Sequence, residues 1–342
     1  STLMRSSAAS DVYKRQATYN LNPKKKHMFD YFKHIKSKLR KHLDLRKEIA
    51  YDLRSDRLKE FVLHSRERGI TDTKYGDSEI IVSLTTYEPR LYDVYLAIES
   101  IMQQTWKANR IVLWLPDRIK ETDIPQTLRN QADRGLEIRY CNDSGPHTKL
   151  LPSLRCFPEA AIITIDDDIL YDIDLLERLI GEYLKAPQYI HYCRGHRIVL
   201  KNNRVQPYAQ WKWCAGSEKP SALNFPTGVG GVLYPPHTFD DEVFNETVFR
   251  DICRHADDIW FKAMSLRNGK QSRKVTTHTR SGEDYLENKS VQECALERIN
   301  RGEQNLNDVQ FDAVFSRYAL FDKLSDKMPG NELAASPRIK KK

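Results

Sequence analysis

No apolar run in this chain is long: none exceeds about five residues, Ile111 to Leu115 for one, far short of the ~20 that cross a bilayer. The opening residues also lack the apolar core of a secretion signal. Cysteine is sparse. The six residues, at positions 141, 156, 193, 214, 253 and 294, form no CxxC pair and no zinc-finger pattern with histidine. They read as reduced thiols in a reducing compartment, not as a disulfide framework or a zinc site. Internal repeats are lacking. The stretch Gly228-Val229-Gly230-Gly231 is not a GxGxxG and does not follow the first strand, which excludes a dinucleotide or Walker loop. Its expected role is a place where backbone approaches substrate closely.

What is there is an ordinary globular composition, with 40% hydrophobic and 30% charged residues in 342. Wholesale disorder, a collagen-like chain and a multi-span membrane protein are thereby excluded. The length suits one large domain of roughly 250 residues with appendages, or two small domains. The net charge of +8 is concentrated: residues 1–70 carry 18 Lys or Arg against 8 Asp or Glu, leaving the body at −2. A nucleic-acid footprint on the body is therefore not expected.

Four segments follow from these patterns. Residues 1–16 resemble a translated library adaptor more than native sequence, with Met28 as one natural start. Residues 17–76 are expected to form a basic helical extension. Residues 77–285 form the main domain, and 286–342 a C-terminal helical segment ending in a basic cluster (Arg338, Lys340, Lys341, Lys342). In the extension, Phe29, Phe32, Ile35, Leu39, Leu43, Leu45, Ile49, Leu53, Leu58 and Phe61 recur at helical spacing among basic residues. Such a helix either packs on the body or rests on anionic lipid. The expected location is cytoplasmic, with peripheral contact at the inner face of a membrane as the functional alternative.

In the main domain, strands are expected at 79–84, 110–115, 136–140 and 160–165, alternating with helices at 91–104 and 172–185. The alternation predicts a mostly parallel, Rossmann-type α/β sheet with helices on both faces. Ligands in such sheets lie beyond the carboxyl ends of the strands. A strand near 189–193, a loop rich in Trp and Pro from 201 to 224, and a helix from about Ala256 follow.

The strongest chemical signal is the apolar run Ile162-Ile163-Thr164-Ile165 leading into Asp166-Asp167-Asp168. Three consecutive carboxylates repel one another unless a cation or hydrogen bonds offset the repulsion. On extended backbone Asp166 and Asp168 share one side. That geometry predicts a Mg²⁺ or Mn²⁺ site; the alternative is a turn or helix cap. Asp257-Asp258 opens an amphipathic helix, where the helix dipole alone favours acidic residues.

These motifs together carry a resemblance. Ile81-Val82-Ser83-Leu84-Thr85-Thr86-Tyr87, then Ser100-Ile101-Met102-Gln103-Gln104-Thr105, then Ile111-Val112-Leu113-Trp114, resemble the opening of a family 2-type glycosyltransferase with the GT-A fold. Asp166-Asp167-Asp168 resembles the DxD signature of that family, Asp257-Asp258 its later acidic pair, and Phe225 to Gly231 its acceptor-side segment. The resemblance covers about residues 78–280. It implies a GT-A-like fold and transfer of a sugar from a nucleoside-diphosphate sugar, most simply a UDP-sugar, to a glycan or glycoconjugate acceptor in polysaccharide assembly. By the same resemblance, Thr85, Thr86 and Tyr87 hold the nucleotide and Asp117 lies near the base. Asp167 faces ribose or sugar, and Asp166 and Asp168 bind Mn²⁺ or Mg²⁺ at the diphosphate. Asp258, paired with Asp257, is the general base of an inverting displacement. Arg90 and Lys149 are candidates for further phosphate contacts, with surface charge pairs as the alternative. His278 is a candidate to complete the metal shell, with a structural or exposed histidine as the alternative. Trp211, in Trp211-Lys212-Trp213, is a candidate to stack on a sugar ring, with core packing or a loop anchor as the alternative. His196 and Arg197 are candidates for the acceptor side, with Gly230 and Gly231.

Two other readings fit parts of the pattern. A haloacid dehalogenase-type phosphatase also runs an apolar strand into Asp-x-Asp. Against it, at least three strand-like segments precede Asp166, and Asp257-Asp258 reads as a helix start. The second is a degenerate sugar-nucleotide-binding scaffold, disfavoured because both acidic motifs are intact.

Overall fold

The computed structural model describes residues 23–215, 218–288 and 305–324; residues 1–16, the cluster 338–342 and Cys294 lie outside the described residues. The chain divides into two units, Ser1–Leu53 and Arg54–Lys342. Helix α1 (Pro23–His64) begins in the first and ends in the second. In the first unit Ile35, Leu39, Leu43, Leu45, Ile49 and Leu53 are all exposed. In the second, Ser55, Leu58 and Val62 of the same helix are buried.

The second unit is built on a seven-stranded sheet. Its first strands are β1 (Ile80–Thr85), β2 (Arg110–Pro116), β3 (Leu136–Cys141) and β4 (Ala161–Thr164). Helix α2 (Val94–Met102) follows β1, α3 (Gln126–Ala132) precedes β3, and α4 (Leu151–Cys156) precedes β4. After β4 come β5 (Ile169–Tyr171), α5 (Leu175–Lys185), β6 (Ile190–Tyr192), β7 (Gly195–Arg197), the short hairpin β8 (Leu200–Lys201) and β9 (Arg204–Val205), β10 (Asn224–Pro226) and β11 (Val232–Tyr234). The chain continues with α6 (Glu246–Ile252), α7 (Asp257–Arg267), β12 (Ser272–Lys274), β13 (Tyr285–Glu287) and α8 (Leu306–Arg317).

The sheet order is β12-β6-β11-β4-β1-β2-β3. β1 pairs in parallel with β2 and β4, β2 with β3, and β6 with β12. β11 alone runs antiparallel, between β4 and β6. This is the helix-flanked, largely parallel α/β sheet expected from the alternation. β1 and β4 are buried on both faces, which explains their near-continuous apolar runs. Ile80, Val82 and Leu84 of β1 join one core with Val94, Ile98, Leu176 and Leu179. Ile162 of β4 and Val232 of β11 join the other with Trp260, Phe261 and Phe315.

Candidate active site

The carboxyl ends of β1 and β4 open into a cavity of about 600 Å³. Its walls hold Thr85, Thr86, Tyr87, Arg90, Lys149, Asp166, Asp167, Asp168, His196, Asp257 and Asp258. The two acidic motifs, far apart in the chain, therefore meet.

Local sequence explains how each is held. The Asp166 N–H donates to the buried Tyr171 hydroxyl at 2.8 Å, closing the turn that carries the three aspartates. The Ser100 to Thr105 phrase anchors the segment behind that turn. Tyr171 N donates to Ser100 Oγ at 3.1 Å, Gln104 Nε2 to the Asp172 carbonyl at 2.6 Å, and Leu176 N to Gln104 Oε1 at 2.9 Å. On the other side, Ser83 Oγ of β1 donates to the Lys149 carbonyl at 2.6 Å and lies 2.7 Å from Ser153 Oγ. Trp114 Nε1 donates to that same Ser153 oxygen at 2.7 Å. This buried network fixes the backbone of Lys149. Asp257 and Asp258 occupy the first turn of α7, whose N-cap, Ala256, provides no side-chain cap. Asp258 Oδ1 instead accepts from Gly228 N at 3.0 Å.

Cations are interleaved with the carboxylates. Arg90 Nη1 lies 2.7 Å from Asp167 Oδ1 and 3.1 Å from Asp168 Oδ2. Thr86 Oγ1 donates to Asp167 Oδ2 at 2.6 Å. Lys149 Nζ bridges the two motifs, 3.0 Å from Asp166 Oδ1 and 2.8 Å from Asp257 Oδ2. Burial, opposed by Asp166 and Asp257, leaves the Lys149 ammonium well above its ordinary pKa. Burial first, then the charge of Asp166, pushes Asp168 up to about 7 despite Arg90. Burial likewise raises Asp257 and Asp258, the latter further through Asp257. The cluster thus holds more negative charge than its own cations offset. An all-oxygen donor set with that imbalance, at Asp166 and Asp168, fits a hard divalent cation such as Mg²⁺ or Mn²⁺.

Several expected residues stand elsewhere. Trp211 is 4% exposed, with ring centroids 4.7 Å from Tyr208 and 5.2 Å from Phe225 and Phe311, so it packs in the core and does not face a sugar. Arg197 Nη1 donates to Asn224 Oδ1 at 3.1 Å, away from the cavity walls. His278 is exposed, its Nε2 2.8 Å from Asp174 Oδ2; it groups with Asp172 and Asp174, not with Asp166 and Asp168. Asp117 is exposed and outside the cavity; Arg118 and Asp143, ion-paired at 2.6 Å, line it in that quarter. Gly230 and Gly231 serve packing. A Cβ on Gly230 would meet the Arg194 Cβ at 2.5 Å, and Gly231 has φ 84° beside Leu175. Within Gly228–Gly231 the glycine that lines the cavity is Gly228. Arg194, Thr227 and Tyr285 also line the cavity. Thr227 stood inside the Phe225 to Gly231 segment without being singled out, for Arg194 the only signal was proximity to His196, and for Tyr285 there was none.

No protein-family model and no curated protein matches the chain. Solved structures with a partial likeness of fold include a mannosyltransferase from Pyrobaculum calidifontis in complex with GDP-Man and Mn²⁺. There the TM-score is 0.37 at 15% identity, over 68% of this chain and 63% of that one. S. aureus TarS 1–349 gives a TM-score of 0.42 at 12% identity, over 70% and 72% of the two chains. The inositol-1-phosphate CTP transferase from T. maritima gives 0.38 at 10% identity, over 70% and 97%. The match thus spans less than two thirds of the mannosyltransferase structure.

Proposed function

We propose that this chain is a metal-dependent glycosyltransferase that moves a sugar from a nucleoside-diphosphate sugar to a hydroxyl of a glycan or glycoconjugate, with inversion. One observation carries the reading: Asp166–Asp168 and Asp257–Asp258 converge, with Arg90 and Lys149, in one cavity at the strand ends. A sheet-end cavity is where this class of fold takes its ligands.

Asp166 and Asp168 would hold Mn²⁺ or Mg²⁺, which offsets charge on the departing diphosphate when bound. The turn Thr85-Thr86-Tyr87 cradles the nucleoside. Asp167, oriented by Thr86 and Arg90, meets ribose or sugar hydroxyls. Arg90 and Lys149 carry charge toward the diphosphate oxygens. Asp258 accepts the acceptor proton: Gly228 N occupies Oδ1, leaving Oδ2 for the incoming hydroxyl. Its raised proton affinity suits a general base working near neutral pH.

The test is calorimetric titration with UDP, GDP and CDP, each with Mn²⁺ and with EDTA. Manganese-dependent binding of UDP is the expected result. Binding of GDP or CDP alone would reassign the donor. Hydrolysis of a generic phosphate ester without nucleotide binding would replace the reading by a phosphatase, and neither activity by a scaffold.

A further inference from the structure

A second wall of the cavity holds a cation that the transfer chemistry leaves unused. Arg194 follows β6 and lines the cavity with His196, Tyr208 and Tyr285. Its mount is tight. A Cβ on Gly230 would fall 2.5 Å from the Arg194 Cβ, and one on Gly282 3.2 Å from its Cα. Thr227 clamps it three times: Thr227 N and Thr227 Oγ1 donate to the Arg194 carbonyl at 3.1 and 3.2 Å, and Arg194 Nη1 donates to Thr227 Oγ1 at 2.9 Å. The side chain is 14% exposed; Glu283 Oε1, itself part-exposed, stands 3.8 Å from its Nε, an ion pair beyond hydrogen-bond distance, and the Cys214 thiol also interacts with the guanidinium. Among the described residues Nε has no hydrogen-bond partner.

A guanidinium offers five donors in a rigid fork that matches phosphate and carboxylate. Here the fork is desolvated, fixed at its backbone and only partly used. Arg90 and Lys149 pair with four of the five aspartates, and Asp258 accepts from Gly228 N, whereas Arg194 is engaged by Thr227 and Glu283 on its own wall. We propose that Arg194 anchors an anionic group, a phosphate or a carboxylate, carried by the acceptor. The proposal rests on the transferase reading of the same cavity.

The experiment follows binding of methyl phosphate, glucuronate and, as neutral control, methyl glucoside to the full chain by NMR. Each is titrated into protein alone and into protein saturated with UDP and Mg²⁺. At least one anion is expected to bind in both settings and the neutral glycoside much more weakly. Arg194→Gln should weaken the anion about tenfold or more, with Arg194→Lys recovering part of the loss. Unfolding midpoints of both variants check that the fold survives. Anion binding abolished by UDP and Mg²⁺ would assign Arg194 to the donor diphosphate and overturn the proposal. Equal anion affinity in Arg194→Gln, or no anion binding to either form, would overturn it as well. Failure of UDP to bind would count against the transferase reading, while the arm without nucleotide still reads Arg194.

Discussion

Gly228 sits where the two acidic motifs meet. A Cβ there would stand 2.5 Å from Lys149 Nζ, 3.3 Å from Asp258 Oδ1 and 3.4 Å from Asp166 Oδ1. The nearest of these atoms is the end of a flexible side chain, so the fold can yield while the charge bridge cannot keep its geometry. Gly228→Ala should therefore leave the unfolding midpoint within about 3 °C and weaken Mn²⁺-dependent nucleotide binding about tenfold or more. A calorimetric titration beside a melting curve separates the two effects. For the base, Asp258→Asn should leave nucleotide binding near normal while transfer falls roughly 10²- to 10⁴-fold. Because burial and Asp257 raise the Asp258 pKa, its base form accumulates above the ordinary carboxylate range, so transfer should rise with pH on the acid limb. A rate already flat from pH 5 upward would remove Asp258 from that role. At this scale the sequence was legible where residue types are costly. Carboxylates at the end of an apolar strand need partners, and Asp166 to Asp168 have them. It was not legible where the choice depends on a turn. Three glycines stand within Gly228–Gly231, and only the folded backbone selects Gly228. For a similar reason Trp211 takes its packing alternative and Arg197 turns to Asn224, since both chemistry and packing favour the same side chains.

Strands and helices were easier to read than side-chain targets, because period 2 and period 3.6 leave a direct trace in apolar spacing. Expected strands at 79–84, 110–115 and 136–140 appear as Ile80–Thr85, Arg110–Pro116 and Leu136–Cys141. The helix expected from 172 begins at Leu175, because the Asp172 carbonyl and Leu176 N are engaged by Gln104. What spacing cannot reveal is the pairing across the sheet, such as antiparallel β11 between β4 and β6. Helix α7 shows the same limit. Its sequence reads as an amphipathic helix, yet it is buried on nearly all sides, Lys262 included. Lys262 is 3% exposed, and its Nζ has no hydrogen-bond partner among the described residues. Burial alone lowers its pKa from 10.5 to about 7. The unfolded chain then binds one more proton than the folded chain between those values. Stability should climb with pH from about 7 toward 10.5 and sit at its lower level below that window. Lys262→Met removes the unmatched ammonium and keeps the packed volume. It should raise the unfolding midpoint at pH 7 by about 5 °C or more and flatten the rise above it. A Lys262→Met midpoint equal to or below that of the unsubstituted protein would mean that the ammonium is satisfied.

Charge and burial divide the whole molecule at nearly the same place. Of the net +8, residues 1–70 contribute an excess of basic residues and the remainder sums to −2. The unit Ser1–Leu53 ends inside helix α1, one residue before the part of that helix with buried Ser55, Leu58 and Val62. No helix among the described residues is long and apolar enough to cross a membrane. The exposed Ile35, Leu39, Leu43, Ile49 and Leu53 nonetheless lie among lysines and arginines. That combination is suited to lying on an anionic lipid surface, where apolar insertion and Coulomb attraction add. Cutting after Leu53 keeps the buried turns of α1 with the body, whereas a cut at residue 70 would strip Leu58 and Val62 from its core. The protein lacking residues 1–53 should therefore fold and bind nucleotide with Mn²⁺ as the full chain does. The full chain should sediment with vesicles containing phosphatidylserine at about 0.05 M salt and be largely released at about 0.5 M, where the screening length falls to a few ångströms. The shortened protein should remain in the supernatant at both. Equal sedimentation of the two forms would locate the lipid contact on the body, and sedimentation on neutral vesicles as strong as on anionic ones would leave the basic residues without a part in it.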